Sequence, residues 1–140
     1  MVRDMGKLVG LDTNIFIYHY QKHPRYIANT RLLFTNLIEE KITAVTSVIT
    51  LTELLSFKAK EKEIERIRDA FFSTPHLTIL PIEFEIAIKA AEIRRAYSYR
   101  LPDAIQLATA ISEKADVFIT NDRRLKGFKE LKIKLLNEVV

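Results

Sequence analysis

Short apolar runs alternate along the chain with longer stretches in which apolar residues recur every three or four positions. Leu8–Leu11 reads as a buried strand, and a helix is predicted over about 14–20. A second helix is expected over about 26–39, with Ile27, Leu33, Phe34, Leu37 and Ile38 as its core face. Thr43–Ser47 is the next strand, followed by a helix over about 48–57 with Ser47 as its N-cap. Glu61–Phe72 reads as a helix with Ile64, Ile67 and Phe71 on one side and Glu and Arg on the other. Leu77–Leu80 is a strand closed by Pro81, and Phe84–Tyr97 is a helix. Pro102 opens the first turn of another helix, in which Ala104, Leu107, Ala108, Ile111 and Ala115 form a buried stripe. Val117–Thr120 is a fourth strand, followed by a short helix from Asp122 and an edge strand at Ile133–Leu135. Strands alternating with helices predict an α/β fold, a parallel sheet covered on both faces.

Composition narrows the reading. The 140 residues contain no linker, repeat or low-complexity stretch and only three glycines, so 1–140 reads as one domain. A chain of this length buries roughly 70% of its unfolded surface and needs no metal or disulfide to fold. Cysteine is absent, which excludes a disulfide scaffold, thiol catalysis and cysteine-rich zinc sites. An acid at Asp4 interrupts the segment where a secretory signal would be apolar, and no apolar run approaches the ~18 residues of a membrane span. The expected location is cytoplasmic, with no membrane partner.

The carboxylates carry the chemistry. In open parallel sheets, ligands bind beyond the carboxyl ends of the strands, where the winding direction reverses. Asp12 directly follows the first strand, and Asp122 lies two residues beyond the fourth. Asp103 opens the helix leading into that fourth strand, and Glu53 lies near the start of the helix after the second. All four are drawn to one edge of the sheet. Taken singly, each has an ordinary explanation: Asp12 and Asp122 as helix caps, Asp103 as a complement to a helix dipole, Glu53 as a solvated acid. Together they repel, by about 4 kcal/mol for a pair 4 Å apart at a dielectric of 20, so the cluster calls for positive charge. Helix N-termini supply some and a divalent cation the rest. Hard oxygen ligands favour Mg²⁺ or Mn²⁺ beside a substrate phosphate. The reading is metal-assisted phosphodiester chemistry.

Four segments carry a family resemblance. Leu11-Asp12-Thr13-Asn14-Ile15, Thr50-Leu51-Thr52-Glu53-Leu54, Leu101-Pro102-Asp103-Ala104 with Ala108-Thr109-Ala110, and Ile119-Thr120-Asn121-Asp122 resemble, in order and spacing, the signature segments of PIN-domain ribonucleases. The likeness is to VapC-type toxins of toxin–antitoxin pairs. It implies a three-layer sandwich with a five-stranded parallel sheet in order 3-2-1-4-5 and the site where strands one and four adjoin. It also implies Mg²⁺ or Mn²⁺ as cofactor, single-stranded RNA as substrate, a homodimer and a small antitoxin partner. Carried over by position, Asp12, Glu53, Asp103 and Asp122 form the acidic quartet, with Asn14 and Thr120 as supporting groups. Asp12 and Asp103 are the expected direct metal ligands, and Asp122 binds a second metal or metal-bound water. Glu53 orients or deprotonates the attacking water, and Thr120 hydrogen-bonds a quartet carboxylate. Tyr99-Arg100 departs from the pattern, standing where small residues often precede the third segment.

Charge and competing readings complete the picture. Net charge is +4; the quartet set aside, 22 Lys and Arg face 14 acids. Arg100, Arg123 and Arg124 flank the third and fourth acids and are expected to bind RNA as a basic rim, whereas the lysines at 129, 132 and 134 read equally as a solvated face. His19 and His23 stand four apart like a zinc pair, but no third ligand is near and Pro24 follows. Tyr18, Tyr20 and Tyr26 are expected in packing rather than on bases. Apolar surface near 18–37 and 54–72 is expected to serve dimerisation and the antitoxin's grip. A haloacid-dehalogenase phosphatase would need an Asp where Asn14 stands, and a nucleotide module would need a glycine-rich first loop. The alternative kept open is a housekeeping RNA-processing nuclease or RNA-binding domain of the same fold.

Overall fold

The central strand of the sheet, β1 (Leu8–Leu11), is buried because helices cover both of its faces. The computed structural model describes residues 6–139, so the signal-peptide argument at Asp4 lies outside the described residues. β2 (Thr43–Ser47), β3 (Leu77–Leu80), β4 (Val117–Thr120) and β5 (Ile133–Leu135) join β1 in one sheet of order β3-β2-β1-β4-β5. Every pairing is parallel, and Leu11 lies opposite Ile119 at the end of the β1–β4 seam. The expected α/β class and strand order are those observed.

Alternating side chains assign the two faces. Val9, Leu11, Val117 and Ile119 pack with α1 (Thr13–Tyr20), α2 (Ile27–Ile38) and α4 (Glu61–Phe72). Val45 and Phe118 pack with α5 (Phe84–Tyr97) and α6 (Leu101–Ser112). α3 (Val48–Leu54) follows β2 directly, its N-terminus capped by Ser47 Oγ, which accepts from Ile49 N. Gly10 faces α6 so closely that a Cβ there would lie 2.8 Å from Ala110 Cβ. That contact lets α6 press onto the sheet.

Several expectations are corrected by packing. α3 ends at Leu54 rather than near Phe57; the Ser56 hydroxyl donates to Thr52 O, and the chain turns away. Phe57 is left exposed. Ile38, expected in the core, is 60% exposed, while polar Thr30 and Asn36 of the same helix are buried. Ala115 is buried but lies beyond the end of α6, and burial on that helix runs without a break from Asp103 to Ala110 rather than along one stripe. The segment after Asp122 is a 3₁₀ turn, Arg123–Gly127, and a second one, Leu136–Glu138, went unpredicted. Among the described residues no helix is long and apolar enough to cross a membrane.

Candidate active site

The chain winds outward from β1 to β3 on one side and to β4 and β5 on the other, so the switch point lies between β1 and β4. Asp12 leaves β1 there, its backbone N–H donating to Ile119 O at 3.0 Å. Its side chain caps α1: Oδ1 accepts from Thr13 N at 2.8 Å, and Oδ2 accepts from Thr120 Oγ1 at 2.7 Å. The cap and the candidate metal ligand are therefore one group, and the cap fixes the rotamer. Thr120, fully buried at the end of β4, also accepts from Asp122 N at 3.0 Å. One hydroxyl thus bonds two of the four acidic residues.

The remaining acids arrive from other segments. Asp103 lies in the first turn of α6, and Glu53 lies in the last turn of α3 rather than near its start as expected, because that helix stops at Leu54. Asp12, Glu53, Asp103 and Asp122 line one cleft of about 240 Å³, with Thr13 and Asn14 between them and Ile17 and Phe57 as its apolar wall. Asn14 Oδ1 accepts from Asn121 N, tying the start of α1 to the loop after β4. All four sequence-chosen acids and Asn14 meet here.

Their charge states differ by environment. Burial pushes the Asp12 carboxyl up to about 6; the Thr120 and Thr13 hydrogen bonds oppose this, and the neighbouring charges of Asp103 and Glu53 add to it. Asp122 moves the other way, held below the usual carboxylate range chiefly by its hydrogen bonds from the Arg124 side chain.

The expected basic rim is partly folded inward. Arg124 donates through Nε and Nη2 to Asp122, and Nη2 also lies 3.4 Å from Asp103 Oδ2. Arg100 Nε lies 3.4 Å from the same Asp103 oxygen. Carboxylates at close range outcompete water for a guanidinium, so these two arginines pair with the acids. Arg123 is exposed and makes no ion pair among the described residues. Tyr99 stacks on Tyr97, and its hydroxyl reaches Arg124 O at 3.4 Å, so the unusual pair before Asp103 braces the turn after Asp122.

Among the described residues, no group of three metal-ligating side chains stands close enough to hold an ion ready-made. The donor set still fits a hard divalent cation, being four carboxylates. The site also draws a cation already, the Arg124 guanidinium between Asp103 and Asp122.

Other features resolve as packing. His19 stacks on Phe34 and contacts Thr30 Oγ1, while His23 packs against Tyr18 and Tyr26. Tyr18 and Tyr26 stack on each other, and Tyr20 lies against Phe16. Sequence reasoning read Ser47 correctly as a helix cap but gave no site role to it or to Thr13, Thr46, Thr50 and Gln106, a buried polar group behind Glu53. The available signal was polar residues inside otherwise apolar runs: Gln106 within 104–111, and Thr46, Ser47 and Thr50 at a strand-to-helix junction.

A PIN domain family model matches residues 9–132. No curated protein matches the sequence significantly. Among solved structures, the chain is similar to that of VapBC2 from Rickettsia felis bound to a DNA fragment from its promoter. They share 26% identity over 91% of this chain and 98% of that one, with a TM-score of 0.70. It is likewise similar to a toxin–antitoxin complex from Klebsiella pneumoniae, at 26% identity over 90% and 95% of the two chains and a TM-score of 0.68. DNA-bound VapBC from Salmonella typhimurium shares the fold, at 24% identity over 93% and 98% and a TM-score of 0.70.

Proposed function

The chain belongs to the PIN domain family, and from that membership we propose that it is a Mg²⁺- or Mn²⁺-dependent endoribonuclease, the toxin of a toxin–antitoxin pair. The observation that carries this reading is the meeting of Asp12, Glu53, Asp103 and Asp122, from four separate segments, in one cleft at the switch point. Four carboxylates that only capped helices would have no reason to share a cleft against their mutual repulsion.

Asp12, Asp103 and Asp122 are the residues that would hold the metal. When bound, a divalent cation supplies a more acidic water and neutralises charge at the scissile phosphate. The chain's own groups do the rest. Thr120 holds Asp12 Oδ2 in place, and Asn14 ties the start of α1 to the loop after β4. Glu53 is anchored at Oε1 by the Thr13 hydroxyl, 2.6 Å away, leaving Oε2 to orient the attacking water and take its proton. Arg123 attracts the RNA backbone, and Arg100 and Arg124 join it when released from the acids.

The toxin role is supported by the likeness to a structure of about a quarter identity named as a toxin–antitoxin complex, and to VapBC2 at the same identity. Exposed apolar side chains give partners a purchase: Leu32, Phe57 and Phe72 fall in the two segments expected to serve dimerisation and the antitoxin's grip. Expression in a permissive host tests this. Growth arrest by the wild type, relieved by an adjacent small reading frame and absent with Asp12→Asn, is expected. A harmless wild type that cleaves RNA in vitro would replace the toxin role with RNA processing.

A further inference from the structure

Behind Glu53, on the side away from solvent, five buried polar side chains form a connected chain of hydrogen bonds. Ser47 and Thr50 are fully buried, Thr46 and Gln106 are 2% exposed and Thr13 is 5% exposed. Burying this many hydroxyl and amide groups is costly unless each is satisfied, and counting protons shows how each one is.

Ser47 Oγ accepts from Ile49 N, so its own proton goes to Gln106 Oε1 at 3.1 Å. The amide is thereby oriented, and both protons of Nε2 point to hydroxyls: Thr50 Oγ1 at 2.6 Å and Thr13 Oγ1 at 3.1 Å. Thr46 Oγ1 gives its proton to Leu11 O, so in its 2.8 Å contact with Thr50 it must accept. Thr50's proton is committed to Thr46. Thr13, receiving from Gln106, has one proton left, and Glu53 Oε1 lies at 2.6 Å against 3.1 Å for Thr50. A carboxylate is the stronger acceptor as well as the nearer one. Every proton in the chain is directed: from Gln106 one branch runs through Thr50 and Thr46 to Leu11 O, and the other through Thr13 to Glu53.

We infer that Gln106 is a positioning residue: through Thr13 it fixes which oxygen of Glu53 is bound and which is left for water. The inference rests on the nuclease reading, because it matters to the reaction only if Glu53 handles the attacking water. An apolar residue at 106 would pack the interior as well, but it would remove the donor that holds Thr13 Oγ1 and the one that fills Thr50 Oγ1. The Thr13 hydroxyl would no longer be held facing Glu53, and Thr50, 3.1 Å away, would become a competing acceptor, so the anchor on Glu53 would loosen. Misplacing a reacting group by about an ångström costs up to roughly a hundredfold in rate.

The test compares Gln106→Met, Thr13→Val and Thr13→Ser in RNA cleavage at saturating Mn²⁺, with crystal structures of each. Gln106→Met and Thr13→Val are expected to lower kcat by roughly ten- to a hundredfold, with KM within about twofold. Thr13→Ser, which keeps the hydroxyl, is expected to retain near-wild-type kcat. In a Glu53→Gln background, Gln106→Met is expected to add no further loss, because the group it positions is gone. Wild-type kcat in Gln106→Met, or an equal loss with and without Glu53, overturns the inference. If Gln106→Met does not fold, Gln106→Leu, which also removes both Nε2 donors, decides in its place by the same kcat and Glu53 readouts, and the Thr13→Val and Thr13→Ser pair checks the last link. The structures decide independently of turnover: displacement of Glu53 in the variants supports positioning, and an unmoved Glu53 overturns it. A folded wild type with no cleavage at all would defeat the nuclease reading instead.

Discussion

Arg124 closes back on Asp122, two residues before it, and its guanidinium lies between Asp122 and Asp103. The arginine is half exposed, so the pair adds little to stability. Its consequence lies in the site, where the chain's own cation stands between two carboxylates that would hold a metal.

Removing that competitor should tighten metal binding. For Arg124→Gln without RNA, calorimetric titration with Mn²⁺ is expected to give a Kd lower by roughly fivefold, equivalent to about 1 kcal/mol for a screened charge pair. RNA affinity of the same variant should fall, with a shallower salt dependence. Arg123→Gln should weaken RNA binding and leave the Mn²⁺ affinity alone. Unchanged or weaker Mn²⁺ binding in Arg124→Gln would contradict this account of the pair.

Asp12 predicts a pH-dependent stability. Its carboxyl is raised from 3.8 to about 6, so the native state holds that proton more tightly than the unfolded chain. The resulting stability is full below about pH 4 and is lost as pH rises through 6, a difference on the order of 3 kcal/mol at about 1.4 per unit. In chelator, Asp12→Asn should therefore be more stable than wild type at pH 7, and the gain should vanish near pH 4. Urea unfolding at both pH values measures it. A difference that does not change with pH would refute the burial argument.

Gly10 sets the seat of α6. Gly10→Ala places a methyl 2.8 Å from Ala110 Cβ and 2.9 Å from Phe118 Cδ1, so α6 or the ring must shift. Overpacking of this kind costs about 1–3 kcal/mol, and α6 carries both Asp103 and Gln106. Thermal unfolding should show that loss, and RNA cleavage by the folded variant should fall with it. Unaltered stability would mean the contact relaxes without moving the helix.

Much of this molecule was legible beforehand, for reasons that also mark where legibility stops. Strands such as Val117–Thr120 and helices such as Glu61–Phe72 follow from periodicity and punctuation, which report which face is buried. The placement of the four acids followed from strand ends, because a parallel sheet brings those ends together. The strand order came from family likeness, since spacing alone does not choose neighbours. What periodicity cannot report is partner choice. Nothing in the run Arg123-Arg124 says that one arginine turns to Asp122 while the other faces solvent. In the sequence Gln106 is a polar interruption of a largely apolar helix, and its role depends on Ser47, 59 residues away. Ile38 failed for a similar reason: it carries an apolar residue where no neighbouring element covers it.

Cleavage of single-stranded RNA by the purified chain, with Mg²⁺ or Mn²⁺ and with chelator, tests the central claim most directly. The account predicts internal cuts that require the metal, stop with chelator, and disappear in Asp12→Asn and Asp103→Asn while both variants stay folded. Metal-independent cleavage, or undiminished cleavage by either variant, would contradict it.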